Sequence, residues 1–312
     1  MRIVFFGTSS FAAAVLKFLL EQKIPLVAIV TRPDRPFGRA QRLAPPPVKV
    51  VAAQLCPEIP LFQPEKSSTP EFVETVKAFA PDLFVVVAYG EILKKNLLQI
   101  PTRGAINIHA SLLPKYRGAA PMQRALMDGC KESGVTIQEM VLEMDAGAVL
   151  ETVKLQVPDE MTCGELSHEL CKLACPALVN VIHAIETGEV QKIPQDLSLV
   201  TFASKITPQE ERIHWSEPAE KIHNQIRALS PIPGAWCEIE MGGEKKRLKI
   251  KRSRVILGVS GAPGTVLSSG KEELIIVCGR DGLSLLEVQL EGKKSMPARD
   301  FLRGMHAPLH LS

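Results

Sequence analysis

The chain has 312 residues, 46% of them hydrophobic and 23% charged, with a formal net charge of +3. That length leaves room for two domains with separate cores, and the apolar content excludes a disordered chain. No apolar run reaches the length that spans a bilayer, and the opening MRIVFFGTSS lacks the regions of a signal or transit peptide. The seven cysteines are scattered without CxxC spacing, which points to reduced thiols in a cytoplasm rather than a disulfide framework. Divided at residue 206, the first part is charge-balanced, and all of the excess lies in the second, much of it in Lys245 to Arg254.

Arg2 to Gly7 reads as a buried strand, Phe11 to Glu21 as a helix and Val27 to Val30 as the next strand. This βαβ opening predicts a Rossmann-like parallel sheet in an α/β domain. Gly7 stands where a dinucleotide fingerprint has three glycines, so a tight strand-to-helix turn is the better reading of it. Thr31 to Lys49 reads as a long loop stiffened by Pro33, Pro36 and Pro45 to Pro47, carrying Arg32, Arg35, Arg39, Arg42 and Lys49 against the single acid Asp34. A charged loop is most often just solvated, but this one is longer than an ordinary connection, which favours function. Val50 to Leu55 and Pro70 to Ala80 read as helices, and Asp82 to Val87 as a fully apolar central strand ending in Val87-Ala88-Tyr89-Gly90.

Gly104 to Pro121, GAINIHASLLPKYRGAAP, is the stretch that organises the rest. Ala105 to His109 alternates, so Asn107 and His109 leave a strand on the same side. Two polar side chains at the end of a buried strand are costly without partners or work. A basic turn, Lys115 to Gly118, follows, and Pro121 suits the start of a helix to Asp128. Ligands of open α/β sheets bind at such strand ends.

Gly134 to Met140 is a predicted strand, Val141 to Gly147 a loop bearing Asp145, Val149 to Val157 a strand and Cys163 to Glu186 a long helix. Cys171 and Cys175 on that helix have the spacing of two metal ligands but no third, so small buried hydrophobes are the better reading. Periodicity lapses from Gly188 to Pro208, which reads as a linker. Beyond it, Lys221 to Leu229 is a predicted helix, followed by short strands at Ala235–Met241, Lys246–Val255, Gly264–Ser268, Glu273–Cys278 and Gly282–Gln289, with Gly242-Gly243 as a hairpin turn. Many short strands with glycine turns predict a small β-barrel, OB-like in kind. In Arg247, Leu248, Lys249, Ile250 and Lys251 the alternation puts the cations on one face, a pattern suited to an RNA backbone. The expected division is a catalytic domain over 1–188, a linker over 189–208 and a barrel over 209–312.

NIHASLLPKYRGAAPMQ resembles the signature of the folate-dependent formyltransferases, and most nearly those acting on methionyl-tRNA. Phe6-Gly7-Thr8, Arg32 to Pro36 through Pro47-Val48-Lys49, Val87 to Gly90 and Met144 to Gly147 agree in order, and weaker similarity continues to Gly292-Lys293-Lys294. The resemblance implies a donor, 10-formyltetrahydrofolate, held by Ala88, Tyr89 and Gly90 and by Ser111, Leu112, Leu113 and Pro114. It implies an acceptor, the α-amino group of methionyl initiator tRNA, contacted through Arg32, Arg35, Arg39, Arg42 and Lys49 and through Arg247, Lys249 and Lys251, with Arg42 the leading candidate at the acceptor end. Asn107, His109 and Asp145 are then the catalytic set: donors to the developing oxyanion from the first two, with Asp145 orienting His109 and helping the proton move. No metal is required, no membrane is involved, and a monomer is expected.

Two alternatives stay open. A formyltransferase of the same superfamily acting on an amino sugar nucleotide would share the three residues but would need neither the basic loop nor the basic strand. A non-catalytic RNA-binding protein with a degenerate α/β domain is argued against by the intact set, and turnover decides it.

Overall fold

In a computed structural model of the chain, residues 1–37, 42–241, 243–267, 273–303 and 311 are described. Arg39, Gly242 and Ser268 of the expectations above lie outside them. The chain divides into two compact units. The first holds Met1–Gly118, Gly134–Leu155 and Ser167–Phe202; the second holds Ala119–Ser133, Gln156–Leu166 and Ala203–Ser312.

In chain order the first stretch runs β1 (Ile3–Gly7), α1 (Ser10–Glu21), β2 (Leu26–Val30), β3 (Arg35–Phe37), β4 (Arg42–Ala44), α2 (Pro47–Leu55), β5 (Leu61–Phe62), α3 (Pro70–Lys77), β6 (Leu83–Val87), α4 (Lys95–Leu98) and β7 (Ala105–His109). It continues through β8 (Arg117–Gly118), α5 (Pro121–Met127), β9 (Glu132–Glu139), β10 (Val149–Gln156) and α6 (Cys163–Thr187). The sheet order is β10-β9-β7-β6-β1-β2-β5. β5, β2, β1, β6 and β7 run parallel, and β9 pairs antiparallel with β7. Every residue of β1 and β6 is buried, as expected for central strands covered on both faces. Phe6 and Phe84 meet at 4.9 Å between ring centroids within that core.

Local signals explain the helix starts. Ser9 caps α1 by accepting from the Ala12 N–H, and Thr69 caps α3 ahead of Pro70. The long loop at 31–49 contains a hairpin the sequence reading did not foresee: β3 and β4 pair antiparallel, with Phe37 opposite Arg42. Its two strands are three residues each, too short for periodicity to register. Helix α6 is long and apolar enough to cross a bilayer by length and composition. Its Leu166, Leu170, Ala174, Leu178, Val181 and Ile182 are nevertheless buried, as befits a core helix.

The second unit is a curled antiparallel half-barrel. After β11 (Phe202–Ala203) come α7 (Ala219–Leu229), β12 (Ala235–Met241), β13 (Glu244–Ile256), β14 (Val266–Leu267), β15 (Leu274–Val277), β16 (Gly282–Leu290), β17 (Met296–Pro297) and α8 (Ala298–Arg303). The sheet order is β12-β13-β16-β15-β14, with β17 on β16. Ile222, Ile226 and Leu229 of α7 share one core with Ile239, Leu248, Ile250, Leu283 and Val288. The short β17 and α8 have no counterpart in the expected elements, being too brief for periodicity to mark them.

Candidate active site

Strand β7 sits between β6 and β9, with Asn107 opposite Val86 on one side and Gln138 on the other, and His109 opposite Thr136. His109 is 6% exposed. Its Nε2 lies 2.8 Å from the carbonyl oxygen of Tyr116 and its Nδ1 3.6 Å from Oδ1 of Asp145. Among the described residues none hydrogen-bonds the Asn107 side-chain amide, which leaves its N–H groups available to a ligand. The strand therefore brings Asn107 and His109 together, and the loop after β9 carries Asp145 to the second of them.

The Asp145 carboxylate is held from two sides. Gly118 N–H donates to Oδ2 at 2.8 Å, and Gln138 Nε2 donates to Oδ1 at 3.0 Å. Its backbone has φ +53°, a left-handed conformation that non-glycine residues adopt only where the surroundings demand it. Gly147 two residues on has no room for a side chain: a Cβ there would lie 1.9 Å from the Glu139 carbonyl oxygen.

The turn after β7 is tied down as tightly. Ser111 is buried, and its hydroxyl donates to the Lys115 carbonyl at 2.6 Å. Thr136 donates to the Ser111 carbonyl at 2.8 Å and accepts from the Leu113 N–H at 3.1 Å. Leu112 reaches β9, where a Cβ on Gly134 would strike its Cδ2 at 2.3 Å, and the Leu113–Pro114 peptide is cis. At the end of β6, Ala88 (φ +41°) and Gly90 (φ +86°) are exposed on either side of buried Tyr89. The Tyr89 ring packs edge-on against Phe6 at 5.4 Å, and burial pushes its phenol up to about 12, so the side chain belongs to the core as a neutral group. Its carbonyl accepts from the Thr8 hydroxyl at 2.6 Å.

The basic positions fall in varied settings. Arg32 donates to Glu91 at 2.6 Å and to the Glu65 carbonyl at 3.1 Å, while Arg35 pairs with Glu65 at 2.7 Å. Lys49 and Gln63 both donate to Asp34, whose carboxyl is held below its ordinary value by the Gln63 bond first and Lys49 second. Arg42 is exposed at the start of β4, opposite Phe37. In the second unit the Arg247 guanidinium lies over the Trp236 ring at 4.2 Å, with Glu238 opposite it in the ladder. Lys249 and Lys251 donate to the carbonyls of Pro233 and Pro231, each at 2.6 Å. The Lys249 and Lys251 side chains both run past Gly234. Arg247 is exposed, Lys249 half-buried and Lys251 buried, the last at an irregularity in the β13–β16 ladder. Burial, with Lys249 nearby, lowers the Lys251 ammonium from its ordinary value.

A model of the formyl transferase family matches residues 1–182, and one described as the formyl transferase C-terminal domain matches 205–306. The chain belongs to the formyl transferases. It is 49% identical over 305 residues to a methionyl-tRNA formyltransferase of Protochlamydia amoebophila, covering 98% of this chain and 95% of that one. With one of Chlamydia pneumoniae the identity is 42% over 310 residues, 98% and 96% of the two chains. Among solved structures, methionyl-tRNA formyltransferase from Clostridium thermocellum matches with TM-score 0.57 at 19% identity over 89% of this chain and all of that one. HypX from Aquifex aeolicus in complex with tetrahydrofolic acid matches with TM-score 0.67 at 18% identity over 99% of this chain and 49% of that one. These last two likenesses are of fold.

Gln138, Gln195, Arg117 and Thr136 were missed by sequence reasoning. Thr136 and Gln138 did carry a signal, since they are polar positions alternating with Val135 and Ile137 in a strand. Gln195 carried none, lying where periodicity lapses. Among the described residues no group of three or more His, Cys, Asp or Glu could hold a metal ion.

Proposed function

We propose that this formyl transferase moves the formyl group of 10-formyltetrahydrofolate to the α-amino group of methionyl initiator tRNA. The observation that carries the reading is the 49% identity to an enzyme named for that reaction over 98% of the chain, both halves included. The donor reading is supported by the end of β6. Ala88 and Gly90 leave main chain exposed beside a rigid aromatic core, and polar main chain at a strand end suits the hydrogen-bonding edge of a pterin. Ser111 to Pro114, braced by Thr136, form the other candidate wall. The donor supplies the activated formyl group.

The chain's own groups would do the rest. Asn107, whose amide no described residue engages, can donate to the carbonyl oxygen on which negative charge develops, and a preorganised donor of this kind is worth roughly 3 to 4 kcal/mol. His109 is held between Tyr116 and Asp145. To donate to the same oxygen its Nε2 must leave the Tyr116 carbonyl, and catalytic hydrogen bonds commonly tighten only in the complex. Asp145 fixes the imidazole and helps carry the proton away from the attacking amine, directly or through water. The acceptor would meet Arg42 and its neighbours, with phosphate contacts giving affinity and position. The enzyme would act as a cytoplasmic monomer.

A second reading, an amino sugar nucleotide as acceptor, is favoured by one likeness of fold: a sugar 3N-formyl transferase, WlaRD, matches 94% of this chain with TM-score 0.66 at 18% identity. Incubation with 10-formyltetrahydrofolate and methionyl initiator tRNA, against elongator and unacylated controls, decides between them. Formylmethionyl-tRNA made selectively is the expected result. No product there, with turnover of an amino sugar nucleotide, overturns the proposal.

A further inference from the structure

We propose that Gln195 is a positioning residue for the transfer reaction, holding the loop that presents Asp145 to His109. The inference rests on the reading of Asp145 given above. It starts from a stretch that looks like a plain connection, residues 193–201, but is bonded to both loops of the site. Ile193 and Val149 exchange two backbone hydrogen bonds, of 2.8 and 2.9 Å, which lays the segment against the start of β10. Thr201 accepts the Arg117 N–H on its carbonyl at 2.9 Å and the Tyr116 N–H on its hydroxyl at 2.9 Å.

Gln195 lies between those anchors. Its Nε2 donates to the Asp145 carbonyl at 2.9 Å and to the Gly147 carbonyl at 2.8 Å. Both protons of the amide are thus used on the main chain of the Asp145 loop. Its Oε1 accepts from Arg117 Nη2 at 2.8 Å and from Nε at 3.1 Å. Arg117 is 3% exposed, and a buried guanidinium donates but never accepts, so it sets the direction of the amide. With Oε1 facing the guanidinium, the NH2 group must face the two carbonyls. Gln138, which holds the Asp145 carboxylate, closes the network through an Oε1 3.4 Å from Gln195 Nε2.

The arrangement answers a specific need. Asp145 sits at φ +53°, a conformation disfavoured for a residue with a side chain, and there its oxygens meet Gln138, Gly118 and His109 together. The two N–H bonds to the carbonyls at 145 and 147 pin the main chain of that turn. The Asp145 side chain is aimed by Gln138 and Gly118, and its backbone by Gln195. A small misplacement of a reacting or orienting group can cost on the order of 100-fold in rate.

Gln195→Glu is the discriminating substitution. It keeps size and shape, and it gives Arg117 a carboxylate instead of an amide, but it has no proton for either carbonyl. If Gln195 serves only to accept the hydrogen bonds of buried Arg117, this variant is as active as the parent and at least as stable. If Gln195 positions the loop, kcat falls by roughly 100-fold, while KM for the donor and for methionyl-tRNA stays near the parent values. Gln195→Ala should match it in kcat. In an Asp145→Ala background the change should cause no further loss, because the residue it acts through is gone. Arg117→Lys removes the fork that orients the amide and should give a partial kcat loss of the same character, which decides the question if Gln195→Glu fails to fold. Parental kcat in Gln195→Glu, a change confined to KM, or a full additional loss in the Asp145→Ala background would each overturn the proposal. Parental activity in Asp145→Ala alone would instead remove the catalytic reading on which it rests.

Discussion

His109 Nδ1 stands 3.6 Å from Asp145 Oδ1 while Nε2 of the same ring is 2.8 Å from the Tyr116 carbonyl. Both ring nitrogens face acceptors, and a neutral imidazole has a proton for only one of them. The Asp145 oxygens meanwhile receive N–H bonds from Gly118 and Gln138, which suit the ionised carboxylate. The pair therefore holds the ring between two acceptors, on the same strand as an Asn107 amide that no described residue hydrogen-bonds.

Asn107→Ala and His109→Ala should each lower turnover by about 100-fold or more with the fold intact, since on the proposed mechanism each removes a donor to developing charge. Steady-state formylation rates, with circular dichroism as the folding control, provide the check. Near-parental turnover in either variant would remove that residue from the mechanism.

How far this site was legible in the sequence depends on what each residue owes to its neighbours in the chain. Asn107 and His109 could be read because a period-2 strand puts both on one side and apolar flanks make them conspicuous. The parallel sheet followed from the βαβ opening, and Asp145 came only with the family resemblance. Gln195 was invisible, because its role depends on a guanidinium 78 positions away and on two carbonyls that carry no side-chain signal. The graded burial of Arg247, Lys249 and Lys251 along β13 was hidden for a related reason. Alternation assumes a regular ladder, and the irregularity at Lys251 arises between strands.

Gly147→Ala should destabilise the protein by about 1 to 3 kcal/mol, the usual range for forcing atoms into a filled space. The new Cβ would fall 1.9 Å from the Glu139 carbonyl oxygen, which is main chain and cannot swing aside. Because the same carbonyl-to-amide framework holds Asp145, activity should fall with stability. Thermal unfolding measured beside kcat tests both, and an unchanged melting temperature would show that the loop has more freedom than this packing allows.

Glu210 should contribute to stability in a defined acid window. Arg124 donates to its carboxylate at 2.5 and 3.1 Å and Thr207 at 2.9 Å from both N–H and hydroxyl. The Arg124 bond leads in lowering the carboxyl from 4.5 to about 2. With the folded value below the unfolded one, the unfolded chain binds more protons between them, so the contribution is full above about pH 4.5 and is lost as pH falls toward 2. The stability gap between parent and Glu210→Gln should therefore close over that interval. Trp215 and Trp236 lie in the same unit as Glu210, so their fluorescence reports the relevant unfolding. A gap that stays constant across the interval would mean that the ion pair does not stabilise the folded state.

Arg42→Glu tests the acceptor side. Arg42 is exposed, with the hairpin as its support, so reversing its charge should leave the melting temperature unchanged. Binding of methionyl-tRNA should weaken as salt rises in the parent, because each neutralised phosphate releases counterions. The variant should bind more weakly at low salt, and its log–log salt slope should be shallower by about 1, the signature of one lost phosphate contact. Filter binding or fluorescence anisotropy over a salt series gives that slope directly. An unchanged slope with parental affinity would take Arg42 out of the RNA contact and leave the other cations of residues 31–49 to be tested in its place.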